Sequence, residues 1–249
     1  MPSPERELLA LRRLVRPVMF ETGSAQFPLS TAGTAFLLSS RSKTFFVTAK
    51  HVVGNYPPGR LHVRRTDRSK APLRIRDFYR ISADEPGAEI EDVLVFEIEE
   101  DPPASQSRSL SIHIDPQPDA WHLSMHTAQY FLVGYPEPMN YVDYEASVVH
   151  SGQVMIAGSY DKPAVGIPYC HDLAVQNPLS LSSFSGLSGG PVFSLHQRLA
   201  SASVLRFCGM VLQGSSTAGI VRFLDCTVIQ AAMDEAHQPR HLRRASGDA

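Results

Sequence analysis

The dominant pattern along this chain is a series of short apolar runs separated by turn-forming residues. Two of them, 34–40 (TAFLLSS) and 44–53 (TFFVTAKHVV), flank a polar RSK segment in the manner of a β-hairpin. Similar runs recur at 90–100, 128–136, 146–158, 191–195 and 208–214. Because no helices alternate with these runs, the pattern predicts an all-β barrel or sandwich rather than a βαβ sheet.

Helical periodicity is confined to the two ends of the chain. The segments PERELLALRRLV near the N-terminus and TVIQAAMDEAHQ near the C-terminus place apolar residues at helical spacing. Between them, residues 99–110 (EEDPPASQSRSL) lose apolar periodicity and collect Pro and Ser, which predicts a linker between two halves. The polar tail at 239–249 is expected to fray.

The composition is that of an ordinary globular protein, with 249 residues, 43% hydrophobic and 19% charged, and a formal net charge of −2. That balance gives no global attraction to nucleic acid or to an anionic membrane. Charged residues interrupt the apolar N-terminus, and no apolar run reaches the roughly 18 residues of a membrane span. The three cysteines have no C-x-x-C spacing. We therefore predict a cytoplasmic protein with neither nucleic acid nor membrane as a partner.

One stretch, SGLSGGPVF at 185–193, concentrates three glycines and a proline around Ser188. Glycine is costly to order and is useful mainly where the backbone turns sharply. A serine hydroxyl becomes a good nucleophile only when a neighbouring base takes its proton, and a third group must orient that base. The turn can also donate N–H groups to a developing oxyanion, with the amides of Gly186 and Ser188 as the natural pair. The stretch therefore predicts a nucleophilic site that needs a histidine and an acid.

The chain has ten histidines, so position must identify the base. His51 lies in FFVTAKHVV, at the end of a strand-like run, and Asp92 precedes an aliphatic run in EIEDVLVFEI. The two are 41 residues apart, and Ser188 follows Asp92 by 96 residues. These three blocks, in this order, resemble the chymotrypsin-like (trypsin-like) serine peptidase family, in the form of a bacterial-type intracellular member. The resemblance extends from about residue 18 to about residue 236 and is most specific at the serine block.

The resemblance implies an all-β fold of two six-stranded antiparallel β-barrels with a C-terminal helix and a short N-terminal helix. It divides the chain into a helical segment at 1–17, a first barrel at 18–110, a second barrel with the C-terminal helix at 111–238 and a flexible tail at 239–249. His51 then is the general base, Asp92 its orienter and Ser188 the acylated nucleophile, with Gly186 and Ser188 as the oxyanion hole. The implied function is that of a serine endopeptidase that hydrolyses protein or peptide substrates without a cofactor.

The resemblance also implies a substrate-binding strand at Leu212, Gln213 and Gly214, which would pair with the backbone of an extended peptide. Where trypsins carry the acid that selects Lys or Arg, this chain has Ser182. Gly214 and Gly219 stand at the walls of the same pocket and do not block it. A medium or large uncharged side chain is therefore expected to fit.

Two departures from the family pattern keep an alternative open, a catalytically weak or inactive scaffold of this fold that binds a protein partner. Leu187 stands where secreted members carry an acid that pairs with a newly cut N-terminus, so packing must hold the serine turn instead. Lys50 replaces a small residue immediately before His51. Both changes lie beside residues that the proposed chemistry needs.

A rival motif uses the same serine. Gly186, Ser188 and Gly190 satisfy the G-x-S-x-G pattern of an α/β-hydrolase, with Asp225 and His237 as the partners that would follow. That motif must open a helix, whereas the next residues, PVF, continue as a strand. The rival is therefore disfavoured.

No metal site is expected. The pairs His122/His126 and His237/His241 have i,i+4 spacing, but neither has a third ligand in sight. The basic segment at 60–76 is most simply a solvated strand face, and its alternative use is docking of an acidic protein partner or a polyanion.

Overall fold

The computed structural model describes residues 9–41, 43–55, 57–64, 72–81, 89–99, 112–113, 118–146, 148–176, 180–196 and 204–238. The expected linker beyond residue 99, the middle of the basic segment and the C-terminal tail lie outside these residues. The strands are β1 Val15–Glu21, β2 Leu29–Ser40, β3 Lys43–Ala49, β4 Leu61–His62, β5 Ile75–Tyr79, β6 Val93–Ile98, β7 Ile112–His113, β8 Gln129–Gly134, β9 Asn140–Asp143, β10 Val148–Ser151, β11 Val154–Pro163, β12 Cys170–Val175, β13 Pro191–His196, β14 Val204–Ser215 and β15 Ile220–Asp225.

The first half of the chain forms one seven-stranded sheet in the order β4-β1-β2-β3-β6-β5, with β7 added to β2 in parallel. β6 is buried along its whole length and β3 along nearly all of it, as their continuous apolar runs predict. Phe46 of β3 stacks on Phe96 of β6 with ring centroids 4.4 Å apart. The paired strands β3 and β6 therefore form the buried centre of the sheet, and the residues at their ends are attached to it.

The second half forms a closed six-stranded antiparallel barrel in the order β11-β12-β15-β14-β13-β8. Beside it lies the two-stranded sheet of β9 and β10. The predictions of a mostly β fold and a C-terminal helix are confirmed. The first half is less regular than the predicted closed barrel, because in the described residues β4 and β5 do not pair, and one isolated bridge, Arg64 to Pro72, joins the segments beside them. In the described residues it is an open sheet.

The borders of the first sheet differ from the predicted ones. Residues 9–12 are helical, but β1 begins at Val15, inside the segment predicted to be helix. Val15 and Val18 are fully buried in the sheet, which outweighs the helical periodicity of the preceding residues. At the other border, β7 lies at Ile112–His113 and pairs with β2, so it completes the first sheet rather than the second barrel.

The C-terminal helix, Cys226–His237, ties the two halves together. Asp225 caps its N-terminus by accepting a hydrogen bond from the Thr227 amide at 2.8 Å. At its other end, the Lys43 ammonium of β3 donates to the Ala236 carbonyl at 2.8 Å. The remaining helical elements are short, a single turn at Lys50–Val53 and 3-10 turns at Pro58–Arg60, Glu89–Glu91, Pro118–Ser124 and Glu137–Met139. Across the described residues, none of the helices has the length and apolarity that crossing a membrane requires.

Candidate active site

A cavity of about 390 Å³ opens where the first sheet meets the second barrel. Residues from both halves line it, so the cavity exists only in the folded chain. The lining residues are His51, Glu89 and Asp92 from the first half and Ser183, Phe184, Ser185, Ser188, Leu212, Gln213 and Gly214 from the second. All three predicted triad residues are therefore brought to one cavity.

His51 and Asp92 meet because the end of β3 and the start of its neighbour β6 lie at the same edge of the sheet. β3 ends at Ala49 and leads into the turn that carries His51, while β6 begins just after Asp92. Asp92 Oδ2 lies 2.6 Å from His51 Nδ1, and Asp92 Oδ1 accepts the His51 backbone amide at 2.9 Å. This double contact fixes the imidazole and leaves Nε2 as the ring nitrogen without a partner in the described residues.

The serine loop is built from two successive tight turns. The Leu187 amide donates to the Phe184 carbonyl at 3.1 Å, and the Gly190 amide donates to the Leu187 carbonyl at 2.9 Å. The third residue of each turn is a glycine with positive φ, +87° at Gly186 and +85° at Gly189. A Cβ on Gly189 would lie only 1.9 Å from the Thr34 carbonyl oxygen. The concentration of glycines therefore has a steric cause.

Thr34 of β2 holds this loop from the other half of the molecule. Its amide donates to the Ser188 carbonyl at 3.0 Å, and its hydroxyl donates to the Gly186 carbonyl at 2.7 Å. The same hydroxyl accepts the Tyr135 amide at 2.9 Å. Thr34 is fully buried. Sequence reasoning missed this residue because a threonine inside a strand-like run carries no signal of a contact 152 positions away.

Leu187 packs its side chain inside the molecule and helps to hold the serine loop. It is 1% exposed, and its side chain fills the space above Gly134, where a Cβ would come within 2.9 Å of Leu187 Cδ2. The loop is thus held by an apolar contact together with the Thr34 hydrogen bonds.

The Ser188 hydroxyl donates to the Leu212 carbonyl at 2.6 Å. No hydrogen bond joins Ser188 to His51 among the described residues, although both line the cavity. In the same part of the chain, the amides of Gly186 and Ser188, the predicted oxyanion hole, donate to no protein acceptor. They are the kind of donors that an anionic oxygen in the cavity would satisfy.

The predicted substrate-binding strand is the end of β14. β13 pairs with β14 only as far as Met210, and the register towards β15 shifts between Val211 and Gln213. Gln213 and Gly214 are exposed and line the cavity. The described structure therefore leaves one side of this segment open to a further strand.

Two predicted pocket residues lie elsewhere. Ser182 is exposed, and its carbonyl accepts the Ser216 hydroxyl at 3.0 Å, while Gly219 lies in the turn between β14 and β15. Neither lines the cavity. Phe184, which sequence reasoning missed, is 3% exposed, and its Cδ2 lies 3.0 Å from the place of a Gly214 Cβ. It reduces the space that Gly214 leaves open.

A separate cluster joins residues that lie far apart in sequence. His122 Nε2 lies 2.7 Å and His171 Nε2 3.4 Å from Asp225 Oδ2, so the three groups could hold a metal ion. The i,i+4 neighbour of His122, His126, instead packs its ring on Tyr160. Burial raises the pKa of Asp225, but hydrogen bonds from His171, Thr227 and His122 outweigh it and lower the pKa overall. Sequence spacing could not have revealed this cluster.

His237, the histidine that the rival α/β-hydrolase motif would need, lies away from the serine loop. Its Nε2 is 3.3 Å from the Ser40 hydroxyl, and its ring packs edge-on against Phe45. Asp225, as described above, caps the C-terminal helix. The residues after the serine loop form strand β13 rather than a helix, so the geometry of that motif is absent here.

Comparison with known proteins assigns no family, because no protein-family model matches the chain and no curated protein matches its sequence significantly. The function of the chain is therefore inferred from the geometry of the site.

Proposed function

We propose that this chain is a serine endopeptidase in which Ser188 is the nucleophile, His51 the general base and Asp92 the residue that orients the base. The observation that carries the proposal is the double hydrogen bond of His51 to Asp92 within a cavity that Ser188 also lines. A carboxylate on Nδ1 directs Nε2 to the serine proton and stabilises the imidazolium that forms.

The chemistry follows from this arrangement. Ser188 Oγ exchanges its contact with the Leu212 carbonyl for one with His51 Nε2, gives up its proton and attacks the scissile carbonyl carbon. The unpartnered amides of Gly186 and Ser188 stabilise the resulting oxyanion. His51 then returns the proton to the leaving amine as the C–N bond breaks, and water hydrolyses the acyl-enzyme by the same route in reverse.

We further propose a specific fold and a class of substrate for this enzyme. We assign the chain to the chymotrypsin-like architecture, with the open sheet as the counterpart of a first six-stranded barrel and the closed barrel as the second. An extended segment of a protein substrate pairs with the open side of Leu212, Gln213 and Gly214. Phe184 beside Gly214 favours a smaller first-pocket side chain than the glycines alone would allow.

One observation favours a second candidate, a non-catalytic scaffold that binds a protein partner through the same cavity. The Ser188 hydroxyl is committed to the Leu212 carbonyl rather than to the base. If that contact persists when substrate is present, the cavity binds an extended segment without cleaving it. Catalytic hydrogen bonds often tighten only in the substrate complex, and in the endopeptidase Ser188 Oγ turns to His51 Nε2 when substrate binds.

Covalent labelling by a fluorophosphonate probe tests the proposal. We expect wild type to be labelled and both Ser188→Ala and His51→Ala to lose labelling. Asp92→Asn should slow labelling strongly, since the equivalent loss in a triad costs on the order of 10⁴-fold. Ser185→Ala is the matched control, because Ser185 lines the same cavity and should leave labelling unchanged. A folded wild type that stays unlabelled while it binds extended peptides would favour the scaffold.

A further inference from the structure

A second cavity lies outside the serine site. Its volume is about 560 Å³, and it shares no lining residue with the cavity around Ser188. It is lined by Arg12, Arg13, Arg16, Pro17, Met19, Arg64, Tyr135, Val149, Ser151 and Gln153. A cavity of this size suits a small molecule rather than a folded partner.

Four arginines line this cavity, and no carboxylate is among its described lining residues. The chain as a whole carries a formal charge of −2, so the concentration of positive charge is local. Like charges held together in a concave site repel one another and raise the affinity for an anion. Arginine, moreover, is the residue whose fork of N–H donors matches phosphate and carboxylate oxygens.

Hydrogen bonds to the protein backbone and side chains hold part of this arrangement in place. Arg12 Nε donates to Gln153 Oε1 at 2.9 Å, and Gln153 Nε2 donates to the Tyr135 hydroxyl at 3.1 Å. Arg16 is 4% exposed and donates from Nη1 to the Val15 carbonyl at 2.8 Å. Arg64 Nε is buried and has no hydrogen-bond partner within the described part of the chain. A buried guanidinium N–H without a partner is costly unless a ligand satisfies it.

We propose that this arginine pocket binds a small phosphate-bearing molecule at a site separate from the serine cavity. Four cations are more than one carboxylate requires and suit the multiple charges of a phosphate or diphosphate group. The apolar side of the pocket, formed by Pro17, Met19 and Val149, accommodates an organic portion of the ligand. The segment that contributes Arg64 is the one whose basic character the sequence singled out.

Binding is measured by calorimetry on the full chain at physiological ionic strength, with ADP and inorganic pyrophosphate as probes. We expect both probes to bind. A higher affinity for ADP than for pyrophosphate would show that the apolar side of the pocket contacts the organic part of the ligand. Arg13→Gln and Arg64→Gln should each weaken binding about tenfold or more, as expected when a charge-assisted hydrogen bond is lost. Arg13 is exposed, so its replacement leaves the fold intact.

Two controls separate the pocket from general electrostatics and from the serine site. Arg41→Gln removes the same charge from an arginine that is 66% exposed and pairs with Asp234, and it should leave binding unchanged. Ser188→Ala should bind both probes as wild type does, whether or not the serine is catalytic. The proposal is overturned if neither probe binds, if the pocket variants bind as wild type, or if a triglutamate peptide binds more tightly than both probes.

Discussion

Thr34→Val offers the sharpest test of how the serine loop is held. Valine has almost the shape of threonine but lacks the hydroxyl, so the replacement removes the donor to the Gly186 carbonyl and the acceptor of the Tyr135 amide. Each buried group left without a partner costs about 1–3 kcal/mol. Because the Gly186 contact is only partly buried, we expect a total loss of about 2–4 kcal/mol in the free energy of unfolding.

The same variant should also impair the chemistry. The Thr34 hydroxyl fixes the peptide that precedes Leu187 and so orients the amides predicted to form the oxyanion hole. Loss of one such donor costs on the order of 10²–10³-fold in rate, and we expect fluorophosphonate labelling of the folded protein to slow by about 10²-fold. Urea denaturation measures the first effect, and labelling kinetics well below the unfolding midpoint measure the second.

Two matched variants make this test specific. Thr34→Ser keeps the hydroxyl and should retain labelling, with only about 1 kcal/mol lost for the missing methyl group. Thr31→Val, on the same strand, removes a hydroxyl that donates to the Asn140 carbonyl at 3.0 Å, away from the serine loop. It should lower stability slightly and leave the labelling rate unchanged. If Thr34→Val is as stable and as rapidly labelled as wild type, the proposed support of the loop is wrong.

Three further predictions concern the serine loop, Glu97 and the pocket beside Gly214. Gly189→Ala should prevent stable folding, because its Cβ would meet β2 backbone at 1.9 Å, whereas Gly166→Ala, with φ +75° and open space, should cost only about 1 kcal/mol in urea denaturation. Burial raises the pKa of Glu97, but hydrogen bonds from Lys43 and Tyr79 lower it more, so the net shift is downward. The stabilisation is therefore present above the unfolded pKa of about 4.3 and is lost as pH falls through the folded value, and Glu97→Gln should flatten the acid limb of the stability curve. Phe184→Val should enlarge the space beside Gly214 and shift labelling towards phosphonates with larger first-pocket side chains, and an unchanged preference would place the pocket elsewhere.

Local signals in the sequence predicted much of the candidate site. The glycines around Ser188 could be interpreted as a sharp turn because positive φ is a property of the single residue, and Gly186 and Gly189 adopt it. The pairing of His51 with Asp92 came from the family resemblance, and the adjacency of β3 and β6 that brings the two residues together is seen in the structure. The roles of these residues in catalysis stay predictions.

Other parts of the site had no local signal. The roles of Thr34, Phe184 and the arginine pocket depend on contacts between residues that lie far apart in the sequence. The identity of a threonine or a phenylalanine does not indicate which distant segment its side chain contacts. The sequence also had no local signal for whether the first sheet closes into a barrel, because closure depends on how the two short edge strands β4 and β5 meet.

The sequence by itself determined the β-rich fold, the C-terminal helix and the position of the serine turn, because strand periodicity, helix periodicity and glycine conformation are local properties. The tertiary structure alone decided that His51, Asp92 and Ser188 share one cavity, that the serine hydroxyl turns to Leu212, and that four arginines line a second cavity. These features arise where packing and hydrogen bonding between segments distant in sequence set the geometry.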